Sequence, residues 1–102
     1  MDDLLISAKL SAQRALLGMV EPYLRAVVVD VAAGKVTVRL IIDGPLRESS
    51  AGLASEIEAE MQADYHQGAE VVVRVERLDY PAPVSAIGDG CFVYARRESG
   101  QG

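Results

Sequence analysis

The arrangement of apolar residues in this chain predicts a two-layer α+β domain, an α/β sandwich in the order α-β-β-α-β-β. Two helices would lie on one face of a four-stranded antiparallel sheet. Three observations predict it. Residues 3–19 and 50–65 carry apolar side chains at helical spacing. Residues 35–42 and 70–78 alternate as half-buried strands do, while 24–31 is a nearly continuous β-branched run. Breaks rich in Gly and Pro separate these stretches. Moving the first strand of a ferredoxin-like unit to its end would give the same series, and an open two-layer sheet of another strand order fits equally well.

The first helix rests on Leu5, Ala8, Ala12, Leu16 and Met19, with Lys9, Gln13 and Arg14 off that stripe. Asp2 and Asp3 suit the positive end of its dipole, and Gly18 with Glu21-Pro22 closes it. Residues 24–31 and 35–42 flank Ala32-Ala33-Gly34, a link short enough for a hairpin. Val36, Val38, Leu40 and Ile42 point one way, and Lys35, Thr37, Arg39 and Ile41 the other, so one face should be covered and one wet.

Asp43-Gly44-Pro45 breaks the strand. The second helix follows, with Ser49 or Ser50 as its N-cap and Leu53, Ile57, Met61 and Tyr65 as its buried ridge. Val71, Val73 and Val75 alternate with Glu70, Val72, Arg74 and Glu76 in the third strand. A loop over 79–90 leads to the last strand, 91–97. At 102 residues the chain makes one domain, 1–98, ending in a loose polar tail, 99–102.

Composition narrows the function classes. The net charge is −5, so a phosphate backbone or an anionic membrane is a disfavoured partner and a basic protein a favoured one. A single cysteine, Cys91, and a single histidine, His66, are too few for a structural zinc site, so no metal and no cofactor are expected. Met1-Asp2-Asp3 lacks the basic, then apolar, start of a secretory signal, and the expected home is the cytoplasm. His66 reads as a cation at a helix end, and Gly88-Asp89-Gly90 as a turn rather than a phosphate cradle. Phe92 and Tyr94, on one strand face before Arg96 and Arg97, read as core packing rather than as a base-stacking platform.

The feature with most to say about function is acidic. Glu56, Glu60 and Asp64 fall four apart and stack into one stripe, with Glu48 in line before them and no Lys or Arg between Arg47 and Arg74. Like charges so spaced cost a helix a few tenths of a kcal/mol per pair. Such a stripe is either a solvated face, answered by arginines elsewhere in the fold, or a patch that steers a basic partner. An exposed stripe offers no dry cleft for acid-base work, so no catalytic residues are assigned and an enzyme is not expected. Asp79 and Tyr80, in a stiff loop beside Pro81 and Pro83, are further contact candidates.

Arg25-Ala26-Val27-Val28-Val29, Ile42-Asp43-Gly44-Pro45, Ala63-Asp64-Tyr65, Arg77-Leu78-Asp79-Tyr80-Pro81 and Val93-Tyr94-Ala95-Arg96-Arg97-Glu98 together resemble small acidic bacterial immunity proteins of secreted and contact-dependent toxin systems. The resemblance covers most of the chain. It implies a cytosolic, non-enzymatic protein that neutralises a cognate toxin domain by tight one-to-one binding. It transfers no fixed set of binding residues, so Glu56, Glu60, Asp64, Asp79 and Tyr80 rest on the charge argument. The alternative is a small regulatory or ligand-binding domain that forms a homodimer through its open sheet face, with Ile41 and Val72 set among Lys35, Arg39, Arg74 and Glu76.

Overall fold

The computed structural model describes residues 3–65, 68–88 and 90–98. His66, Asp89 and the tail 99–102, for which a helix-end cation, a turn and a loose end were expected, lie outside them. The chain runs α1 (Asp3–Ala15), β1 (Leu24–Ala32), β2 (Lys35–Ile42), α2 (Glu48–Gln62) and β3 (Glu70–Arg77). A 3-10 turn (Val84–Ile87) then leads to β4 (Cys91–Ala95).

Both helices pack on one face of the sheet. Ala8, Ala12, Ala15 and Leu16 of the α1 region and Leu53, Ile57 and Met61 of α2 close over Leu24, Val27, Val29, Val36, Val38, Leu40 and Ile42. Alternation along β2 sends Val36, Val38, Leu40 and Ile42 into this core, as the sequence requires. Burying each such aliphatic side chain contributes roughly 1.5–3 kcal/mol, so this face carries most of the driving force.

The sheet is mixed, not antiparallel, and its order is β3-β2-β1-β4. β1 pairs antiparallel with β2 and β4, while β2 pairs parallel with β3 from Lys35↔Glu70 to Ile42↔Arg77. The cause is the length of α2. Fifteen helical residues span about 22 Å, close to the run of an eight-residue strand, so the helix returns the chain to the end where β2 began. In a permuted ferredoxin-like sheet the last strand would be inserted between its neighbours. Here β4 takes the outer edge beside β1.

That placement forces the chain between β3 and β4 to cross from one edge to the other. It does so over the face away from the helices: the Ile87 carbonyl accepts from Arg39 Nη2 at 2.9 Å and the Leu78 carbonyl from Arg25 Nη1 at 2.7 Å. Beneath it Ala26, Val28 and Ile41 are fully buried. The expectation of one covered and one wet face is thereby corrected. The surface on which a sheet-to-sheet homodimer was to rest has its apolar centre closed, and Arg39 is locked to Glu76 by two hydrogen bonds of 2.7 and 2.9 Å.

Two bulges shape the edges of this face. In β1 the pairing jumps from Leu24↔Ile42 to Ala26↔Ile41, leaving Arg25 as the extra residue. In β4 it jumps from Val28↔Phe92 to Val27↔Tyr94. The second bulge separates the two aromatics expected on one face: Tyr94 packs on the helix-side core, while Phe92 is 41% exposed on the other side.

The remaining ends follow local chemistry. Ala33 and Gly34 turn the β1–β2 hairpin with φ of 52° and 75°, two positive values as a type I′ turn demands. The second helix starts two residues earlier than the serines suggested. Arg47 is its N-cap, and buried Ser50 accepts the Arg47 backbone N–H at 2.8 Å from within the first turn. The outer edge of β3 is closed by α2: Val71 N–H donates to Gln62 Oε1 at 3.0 Å and Val73 N–H to Glu58 Oε1 at 3.2 Å. Unpaired strand N–H groups invite edge-to-edge association, and these two are occupied.

Candidate functional site

The fold divides the acidic stripe of α2. With Leu53, Ile57 and Met61 turned into the core and Glu58 turned to β3, the flank carrying Glu56 and Glu60 faces solvent. Neither carboxylate has a hydrogen bond or ion pair among the described residues. Asp64 differs. Ser11 Oγ, on α1, donates to its Oδ2 at 2.5 Å, and Arg14 makes an ion pair with the same oxygen. Those donors, Ser11 first and Arg14 after it, hold the Asp64 carboxyl below its ordinary range. Ser7 and Tyr65 share a further hydrogen bond of 2.7 Å, so this end of α2 is laced to α1.

Asp79 and Tyr80 lie at the other end of the helix. Asp79 Oδ1 accepts the Gly44 backbone N–H at 2.8 Å, and Gly44 precedes α2 by four residues. Asp64, beyond the last turn, is therefore about 20 Å from them, one helix length away. Arg77 grips Asp79 through two hydrogen bonds of 2.9 Å, and with the Gly44 N–H this takes the carboxyl down to about 2. The Tyr80 N–H donates to Asp43 Oδ1 at 3.1 Å, the Arg25 guanidinium lies 5.7 Å from the ring centroid, and the ring is 40% exposed. The five residues that sequence put forward thus occupy two regions, not one.

Tyr80 borders an open cleft of about 260 Å³ with Asp43, Arg96, Arg97 and Glu98. Its charges largely answer one another: Arg96 Nη2 donates to Glu98 at 2.9 Å and to Asp43 at 3.4 Å. Among the described residues no group of His, Cys, Asp and Glu could hold a metal ion. Likewise no helix there is long and apolar enough to cross a membrane.

A larger depression, about 370 Å³, lies between the segment that follows α1 and the first turns of α2. Glu21 borders it on one side and Glu56 on the other, Leu53 lies among its lining, and Gly18 and Gly52 contribute no side chains. Beside it runs a feature that the reading of α1 as a single buried stripe missed. Ile6, Leu10 and Leu17 are 44, 60 and 78% exposed. Ile6 and Leu10, four apart, lie on the side of α1 opposite Ala8, Ala12 and Ala15, and Leu17 follows in the turn after the helix. The signal was the spacing itself, overshadowed by the alanine-rich stripe.

This surface presents aliphatic side chains beside carboxylates, those of Glu21, Glu56 and Glu60, that have no partner among the described residues. Residues 6–98 match the family model described as MafI2 immunity protein. No curated protein matches the chain.

Proposed function

The chain belongs to the MafI2 immunity protein family, and from that premise we propose that it neutralises a basic toxin domain by stoichiometric, non-enzymatic binding in the cytoplasm. Glu56 and Glu60 steer the encounter. The observation that carries this reading is that these two carboxylates have no partner among the described residues, on a protein of net charge −5. Unanswered charge on an exposed face accelerates association with an opposite surface and contributes less to the lifetime of the complex. Asp64, already held by Ser11 and Arg14, serves the packing of the two helices instead. Tyr80 supplies a second, aromatic contact at the far end, with its backbone N–H held by Asp43 and with Asp79 beside it in the chain.

The test is the association rate with the cognate toxin domain, measured at low and physiological salt. The wild-type rate should fall roughly tenfold or more as salt rises, and Glu56→Lys with Glu60→Lys should abolish most of that dependence. A rate indifferent to both salt and charge reversal would remove steering from the account.

A further inference from the structure

We propose that the toxin docks across the α1–α2 side, laying apolar side chains along Ile6, Leu10 and Leu17 and setting a lysine or arginine into the depression between Glu21 and Glu56. This rests on the toxin-binding reading above and specifies the surface of the partner: a cation flanked by aliphatic or aromatic side chains.

Scattered apolar residues on a surface need no explanation, but these do not scatter. Ile6 and Leu10 of α1 lie opposite the Ala8–Ala12–Ala15 side that the fold covers, and Leu17, the most exposed of the three, follows directly in the turn. Val20, 44% exposed, stands between Met19 and Glu21, both of which line the depression. There the chemistry changes from apolar to acidic, with two carboxylates from separate elements, neither paired among the described residues. Gly52 leaves room: a Cβ built on it meets nothing within 4 Å. Apolar anchors beside complementary charge in a recess are how tight interfaces concentrate their binding energy.

The distinguishing experiment uses the full chain and the purified toxin domain. Gly52→Leu adds a side chain to the recess, meets no atom of this protein at its Cβ, and favours helix over glycine. Leu10→Ser with Leu17→Ser strips the ridge, and Phe92→Ser on the opposite face is the control. Gly52→Leu and the double serine variant should each weaken binding about a hundredfold with the thermal transition preserved, while Phe92→Ser binds as wild type does. Wild-type affinity in both α1–α2 variants would overturn the docking face and leave the immunity reading standing. Failure of the wild-type chain to bind the toxin would overturn both. A wild-type homodimer that the serine variant converts to monomer would also overturn the proposal, since a second copy would then be the occupant.

Discussion

Arg25 and Glu98 meet at two points: Nε and Nη2 of the arginine donate to the two carboxylate oxygens at 2.7 and 2.9 Å, with side-chain exposures of 0 and 6%. The bulge in β1 is thereby tied to the chain just beyond β4. The third contact of the guanidinium, to the Leu78 carbonyl, ties in the start of the crossover.

Removing one member of a buried pair costs about 3–5 kcal/mol where it strands the other; Arg96 still donates to Glu98 at 2.9 Å, so about 2–3 kcal/mol is expected here. Arg25→Ala should therefore lose that much in urea denaturation, a large share of a small domain's stability. Arg25→Lys should recover only part, because an ammonium cannot span both oxygens. A midpoint for Arg25→Ala near that of the wild type would show that the pair holds nothing together.

Acid should loosen the same region. Donors from Arg25, then Arg96, hold Glu98 below the ordinary 4.5, and Arg77 with the Gly44 N–H takes Asp79 from 3.8 to about 2. A carboxylate with a lowered folded-state pKa stabilises above its ordinary value and loses that contribution as pH falls through the folded value. Melting temperature should thus decline from about pH 4.5 toward pH 2. In Asp79→Asn the decline should be shallower. A parallel curve for the variant would acquit Asp79.

Asp64 and Glu60, one helical turn apart, should answer oppositely. Asp64→Ala leaves buried Ser11 without its acceptor and should cost roughly 1–2 kcal/mol, while the toxin association rate holds. Glu60→Ala should leave stability within about 0.5 kcal/mol and slow association. Equal effects of the two on the rate would restore Asp64 to the steering group.

Two backbone positions predict opposite signs. Ala33 occupies a left-handed conformation, so Ala33→Gly should gain up to about 1 kcal/mol. Gly90 passes so close to β1 that a Cβ would stand 2.3 Å from Val28 Cγ1, with φ at 141°. Val28 is fully buried and cannot retreat, so Gly90→Ala should cost at least about 1–3 kcal/mol. A neutral Gly90→Ala would mean that the crossover stands off the sheet.

The faces of this protein were legible in its sequence, and its neighbours were not. Val36, Val38, Leu40 and Ile42 announce which side of β2 is buried, because alternation reports orientation. It does not report the direction of the adjoining strand, which the length of α2 decides. Arg25 and Phe92 sit at or next to bulges, where one added residue breaks the very periodicity that a pattern depends on. The spacing of Glu56, Glu60 and Asp64 placed all three on one line of α2. Which of them was already engaged depended on Ser11 and Arg14, some fifty residues away and on another helix. Spacing along α1 picked out the Ala8, Ala12 and Leu16 side that the sheet covers, while the exposed Ile6, Leu10 and Leu17 went unread beside that stripe.

Glu58 and Gln62 fasten α2 to the rim of β3, and Glu56 and Glu60, only two residues from one or the other, fasten it to nothing described. Obligation to the fold and freedom toward a partner are thus split along opposite flanks of a single rod. On the proposed steering role, substitutions at 56 and 60 would retune recognition of a changed toxin with little penalty to folding, whereas the same substitutions at 58 and 62 would unzip the margin of the sheet.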